Sequence, residues 1–149
     1  MSLFTYIASP KALPKYLHNN FYFYIDNILN CCPEFISHRC FENEFVYSLS
    51  SRLDYCPYTR KCEAGSATLL GGWDGSLYKQ SLRNRASLEF LIRHNLREGE
   101  YLEIYSIDWG WGAPEELPPP EYIVTLHIDE LQESRDFVLD DGYKFIIHR

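Results

Sequence analysis

The chain reads as an α+β fold: a mainly antiparallel sheet of four to six strands packed on one principal helix over residues 76–97. Three observations lead there. Residues 76–97 run without Gly or Pro, and Leu77, Leu88, Leu91, Ile92 and Leu96 fall within one broad face at the helical repeat. Three later segments, 100–107, 122–128 and 143–148, have the composition and alternation of strands. The connections between them carry no second helical pattern, whereas parallel neighbours need a crossover of about a dozen residues, usually helical. Antiparallel pairing is therefore expected.

The helix has matching ends. Asp74 and Ser76 are good N-cap residues behind Gly71 and Gly72, while Arg93, His94 and Arg97 set positive charge against the last carbonyls before Gly99 stops the element. Its first half is less regular. Ser81, Asn84 and Arg85 share the apolar face, so that half runs along solvent or lines something polar.

Taken in order, 3–8 alternates as a first strand closed by Ser9 and Pro10. Residues 21–32 satisfy both strand composition and helical spacing, through Phe21, Tyr24, Ile25, Ile28 and Leu29, and are assigned to a helix ended by Pro33. Residues 44–49 form a strand with Phe45, Tyr47 and Leu49 on one face. Proline and glycine break any regular element over 50–75, apart from a short strand-like run at 66–70. In 100–107, Leu102 and Ile104 face one side and Tyr101, Glu103 and Tyr105 the other. Residues 108–121 read as a loop stiffened by Pro118, Pro119 and Pro120. Tyr122, Val124, Leu126 and Ile128 are expected inward, and Asp140-Asp141-Gly142 turns into the closing strand.

At 149 residues the chain is expected to form one domain, 1–149, with a sizeable core. The 46% hydrophobic content, with 12 Tyr and 9 Phe, argues against disorder. No apolar run approaches the roughly 20 residues that cross a bilayer. Five cysteines, an odd number, fit a reducing compartment better than a disulfide framework, so a cytoplasmic protein without membrane association is expected. A net charge of −7 argues against general nucleic-acid binding. The charge is uneven: residues 76–97 carry five Lys/Arg against one Glu, and 98–149 carry three against thirteen Asp/Glu. A basic helix beside an acidic sheet edge explains this, as does a face prepared for an oppositely charged partner.

Four groups of residues are candidate sites. Cys31, Cys40, Cys56 and Cys62, with Cys32 and His38 nearby, supply soft ligands for zinc, but no CxxC pair occurs and small buried apolar thiols are the commoner explanation. Gly72, Gly75 and Ser76 lead into the helix, with Lys79, Arg83 and Arg85 beyond. Such a turn offers backbone N–H groups to an anion, although helix capping accounts for the same residues and no phosphate-loop motif is present. Trp109 and Trp111, flanked by Asp108, Glu115 and Glu116, form an aromatic and acidic contact surface or else cap the core. Glu103 and His127 are a workable acid/base pair if their strands adjoin, against plain exposure on an outer sheet face.

No nucleophile elbow, dinucleotide fingerprint or HExxH occurs. The favoured function is therefore a small protein-binding factor acting through an acidic, aromatic surface. By compositional analogy it is an inhibitor, immunity or anti-defence protein, with no cofactor expected. The alternatives are an enzyme or small-ligand binder using the loop before the helix and the polar sheet face, and a zinc-stabilised interaction module.

Overall fold

The computed structural model describes residues 2–13, 23–27, 40–51, 76–109, 117–131, 137 and 139–149. Six strands make one sheet: β1 (Ser2–Ser9), β2 (Phe23–Asn27), β3 (Phe45–Ser51), β4 (Tyr101–Trp109), β5 (Tyr122–His127) and β6 (Tyr143–His148). Their order is β2-β3-β1-β4-β6-β5. The helix, α1 (Ser76–Asn95), follows β3 in the chain.

Four of the strand pairs are antiparallel, and β5 pairs β6 in parallel, so the sheet is mixed. The pairing is mainly antiparallel, as expected, and β5 against β6 is the exception. The described part of the crossover from β5 to β6 includes a short 3-10 turn, Ile128–Glu130. Its Ile128, Leu131, Phe137 and Leu139 are buried in the same cluster as the helix residues. Those four side chains bring the crossover onto the face of the sheet that α1 covers. A correction concerns residues 21–32, where β2 is a strand. Paired against β3 with Ile25 opposite Leu49, the aromatic run follows the two-residue repeat, because a neighbouring strand outweighs local helical spacing.

Helix α1 packs through its C-terminal half. Leu88, Leu91, Ile92 and Leu96 are buried against Ile7 of β1, Tyr47 of β3, Leu102 and Ile104 of β4, and Phe145 and Ile147 of β6. It ends two residues earlier than the sequence suggests. Gly99, at φ +82, turns the chain there, and its N–H donates to the Arg149 carbonyl at 3.0 Å. The Arg149 guanidinium donates to the carbonyls of Arg93 and Leu96, both at 2.8 Å, so a side chain from the far end of the sequence satisfies the helix terminus.

The opposite sheet face is also covered at its centre. Tyr6, Ala8, Val46, Tyr105 and Ile107 form a second buried cluster with Cys40, Phe41 and Leu117. The outer-face alternation read from β4 is right in its phase, while the expected solvent is replaced by chain around residues 40–44 and 117–120.

Gly142 joins three strands. Its N–H donates to Ser106 of β4 at 2.9 Å, and its carbonyl accepts from Glu121 and Tyr122 at 2.9 and 3.1 Å. It stands at φ +76, and an added Cβ would lie 3.3 Å from the Glu121 side chain. Gly142→Ala is therefore expected to lower stability by roughly 1–2 kcal/mol, the cost of a side chain in the left-handed region. Denaturant unfolding should show a lower midpoint at an unchanged slope; an unchanged midpoint would remove the strain argument.

Candidate functional site

Lys144 is the second residue of β6, whose sequence is YKFIIH. Lys144 of β6 is diagonal to Glu103 of β4, whose direct partner is Ile146, and both side chains point to the face away from α1. Their Nζ and Oε1 are 2.6 Å apart, with side-chain exposures of 8% and 1%. At that depth each charge must be matched. The Glu103 carboxylate also accepts the N–H of Glu42, at 3.1 and 3.0 Å to its two oxygens, and that of Asn43 at 2.8 Å. Lys144 Nζ in turn donates to the Cys40 carbonyl at 2.7 Å. The pair thus clamps the turn at residues 40–43 onto the sheet.

Two tyrosines extend this clamp. Tyr105 donates its hydroxyl to the Pro118 carbonyl at 2.9 Å, beside the Cys40 thiol, which donates to the Leu117 and Pro118 carbonyls at 3.6 and 3.5 Å. Tyr101 donates to the Glu42 carboxylate at 2.7 Å, while the Asn43 amide reaches the Tyr101 carbonyl at 3.1 Å. The hydrogen bond to Glu42 holds the Tyr101 hydroxyl's pKa up at about 12, and burial raises that of Tyr105 to about 12.

The sequence-level candidates are distributed over this framework rather than gathered. Glu103 is buried and occupied by Lys144 and by backbone N–H groups. His127 is at the end of β5, separated from β4 by β6, and its Nδ1 accepts the Asp129 N–H at 3.2 Å to cap the 3-10 turn. The two strands do not adjoin, so the polar cluster expected from their pairing does not form. Ser76, Lys79, Arg83 and Arg85 lie along the first half of α1, whereas Gly72 and Gly75 lie outside the described residues. Asp108 and Trp109 belong to β4, opposite Leu3 and Ser2, rather than to a loop; Trp111, Glu115 and Glu116 lie outside the described residues. Cys40 is buried, and Cys31, Cys56 and Cys62 lie outside the described residues. Among the described residues no group of three or more His, Cys, Asp or Glu is placed to hold a metal ion.

One surface was not anticipated. β5 is the last strand of the sheet, and two consecutive side chains on it, Tyr122 and Ile123, are 51% and 60% exposed. Consecutive strand residues point to opposite faces, so these two flank the edge on either side. Tyr122 stacks on Tyr143 with ring centroids 4.7 Å apart. Glu121 precedes the pair, and Asp129 and Glu130 follow the strand, all exposed. The sequence signal was the apolar run itself: an edge strand with Ile and Tyr adjacent cannot bury both. The strand also begins at the end of the sheet where β4 finishes with Asp108 and Trp109, because Tyr105 pairs Lys144 and Lys144 pairs Ile123.

Breaking the clamp should be costly. Lys144→Met leaves the Glu103 charge buried without its cation, an expected loss of about 3–5 kcal/mol. In a double-mutant cycle with Glu103→Gln, the combined loss should fall short of the sum; additivity would show that the pair is not coupled. Alkali should act through the tyrosines. A folded-state pKa raised above the ordinary value of 10.0 keeps the hydroxyl protonated after the unfolded chain has released its proton, so stability falls as pH rises from 10.0 to about 12. Tyr105→Phe should flatten that fall, as measured by denaturant midpoints across the range, and an unchanged slope would contradict the assignment.

Comparison with protein-family models, with curated proteins and with solved structures finds no match.

Proposed function

We propose that this chain is a protein-binding factor that meets its partner through an acidic and aromatic surface. The observation carrying the reading is the pair Tyr122 and Ile123, large apolar side chains more than half exposed on an edge strand and bordered by Glu121, Asp129 and Glu130. Apolar side chains exposed on either side of a sheet edge, with acids at its ends, suit a partner that meets the edge itself, where apolar area supplies affinity and charge supplies orientation and on-rate.

The chemistry at Glu103 favours this over an enzyme. A carboxylate saturated by a lysine and backbone N–H groups beneath a covering turn is poorly placed to exchange a proton with a substrate. That group supports architecture.

The test is cross-linking capture from the native cell with the wild-type chain and a Tyr122→Ser, Ile123→Thr variant. Both positions are largely exposed, so the variant's stability should remain within about 1 kcal/mol of wild type. Capture by the wild type and its loss in the variant are expected. A partner retained by the variant would move the contact away from β5, and a wild-type chain that captures nothing would defeat the reading.

A further inference from the structure

We propose that the outer edge of β5 receives an extended, positively charged segment of a partner protein as a seventh strand; the inference rests on the protein-binding reading above. The Tyr122 N–H points toward β6, where it donates to the Gly142 carbonyl at 3.1 Å. Backbone polar groups alternate sides along a strand, so Val124 and Leu126 also address β6, while Ile123, Thr125 and His127 address the edge. The His127 N–H is already taken by the Glu130 carboxylate at 2.6 Å. Ile123 and Thr125 remain as the open rungs, each with one donor and one acceptor, and among the described residues no strand lies beyond them.

Edges that must stay unpaired are normally protected by lysine, proline or a bulge. β5, of sequence YIVTLH, has none of these and pairs in unbroken register with β6 from Tyr122 to His127. Strand addition uses such an edge, with main-chain hydrogen bonds giving affinity and flanking side chains giving specificity. Here the flanks are Tyr122 on one face and Ile123 on the other.

Charge selects the occupant. Glu121 stands at the start of the strand and Asp129 and Glu130 at its end, and β5 carries no Lys or Arg. Among the described residues the nearest cation along the sheet, Lys144, is buried on Glu103, and Arg93 is committed at 3.6 Å to Asp129 and at 3.0 Å to the Ile128 carbonyl. A second copy of this chain would set acid against acid in either orientation: Glu121 against Asp129 and Glu130 if antiparallel, Glu121 against Glu121 if parallel. A foreign segment bearing Lys or Arg meets Glu121 at one end and Glu130 at the other, Asp129 being already faced by Arg93.

The experiment uses a short, end-capped peptide alternating valine with lysine, its glutamate isomer, and the lysine peptide N-methylated at alternate positions. Each is titrated against the isotope-labelled chain and its Thr125→Pro variant. Proline at an outward-facing edge position removes one open donor and leaves the β6 ladder intact. The expected result is that the lysine peptide shifts the Ile123 and Thr125 amides and slows their exchange, with affinity falling as salt rises. The glutamate and N-methylated peptides leave those amides alone, and Thr125→Pro weakens the lysine peptide by about tenfold or more. No shift on β5 with the lysine peptide, or an equal response to the glutamate isomer, overturns the proposal; the N-methylated peptide decides the backbone term even if Thr125→Pro fails to fold. A concentration-dependent dimer abolished by Thr125→Pro also overturns it, in favour of a second copy. If the wild type captures a partner and the Tyr122/Ile123 variant does not, while the lysine peptide leaves β5 unperturbed, strand addition fails and the binding reading stands. If the wild type captures no partner, the reading itself fails.

Discussion

The buried ion pair between Glu103 and Lys144 is the constraint on which the far side of this sheet depends. An apolar pair in its place could fill the same volume, but it would offer nothing to the N–H groups of Glu42 and Asn43 or to the Cys40 carbonyl, which would then be buried unsatisfied. The pair's value is therefore less in mutual attraction than in the backbone it organises. Because it bridges neighbouring strands, it also ties the position of the covering turn to the register of β4 against β6.

That arrangement lets the centre of the sheet be buried on both faces with only one helix among the described residues. One face is closed by α1 and the crossover residues around Leu131 and Phe137. The other is closed by irregular chain whose carbonyls and N–H groups need partners that water no longer supplies, and Glu103, Lys144, Tyr105 and Tyr101 provide them. Polar side chains on an inward face are what irregular cover requires. At the sheet's edge the cover stops, and there the apolar residues Tyr122 and Ile123 emerge.

The elements with a strong period were legible from sequence. The helix stripe Leu88, Leu91, Ile92 and Leu96, and the alternation along β4, follow from local chemistry, and their faces are as expected. What failed depended on neighbours. The run around Phe23 and Ile25 satisfies two periods at once, and only pairing with β3 decides between them. The parallel placement of β5 was hidden because it rests on long-range packing, with Ile128, Leu131, Phe137 and Leu139 buried beside α1, that no local pattern in 122–128 or 143–148 announces. Glu103 was legible as facing away from α1 but not as buried, since nothing in 100–107 announces that residues 40–43 fold over it. Lys144 within YKFIIH was the available clue: a cation in a closing strand needs an anion at strand distance. The Trp-containing stretch was read as loop, yet Trp109 continues β4 because Ser2 offers it a partner.

Strand β6 comes last in the sequence but sits between β4 and β5 in space. Among the described strands β5 pairs with β6 alone, and Glu103 takes its cation from β6, so seating Tyr143–His148 satisfies both at once. The edge surface therefore depends on that strand: the step that neutralises Glu103 is also the step that sets the pleat of β5.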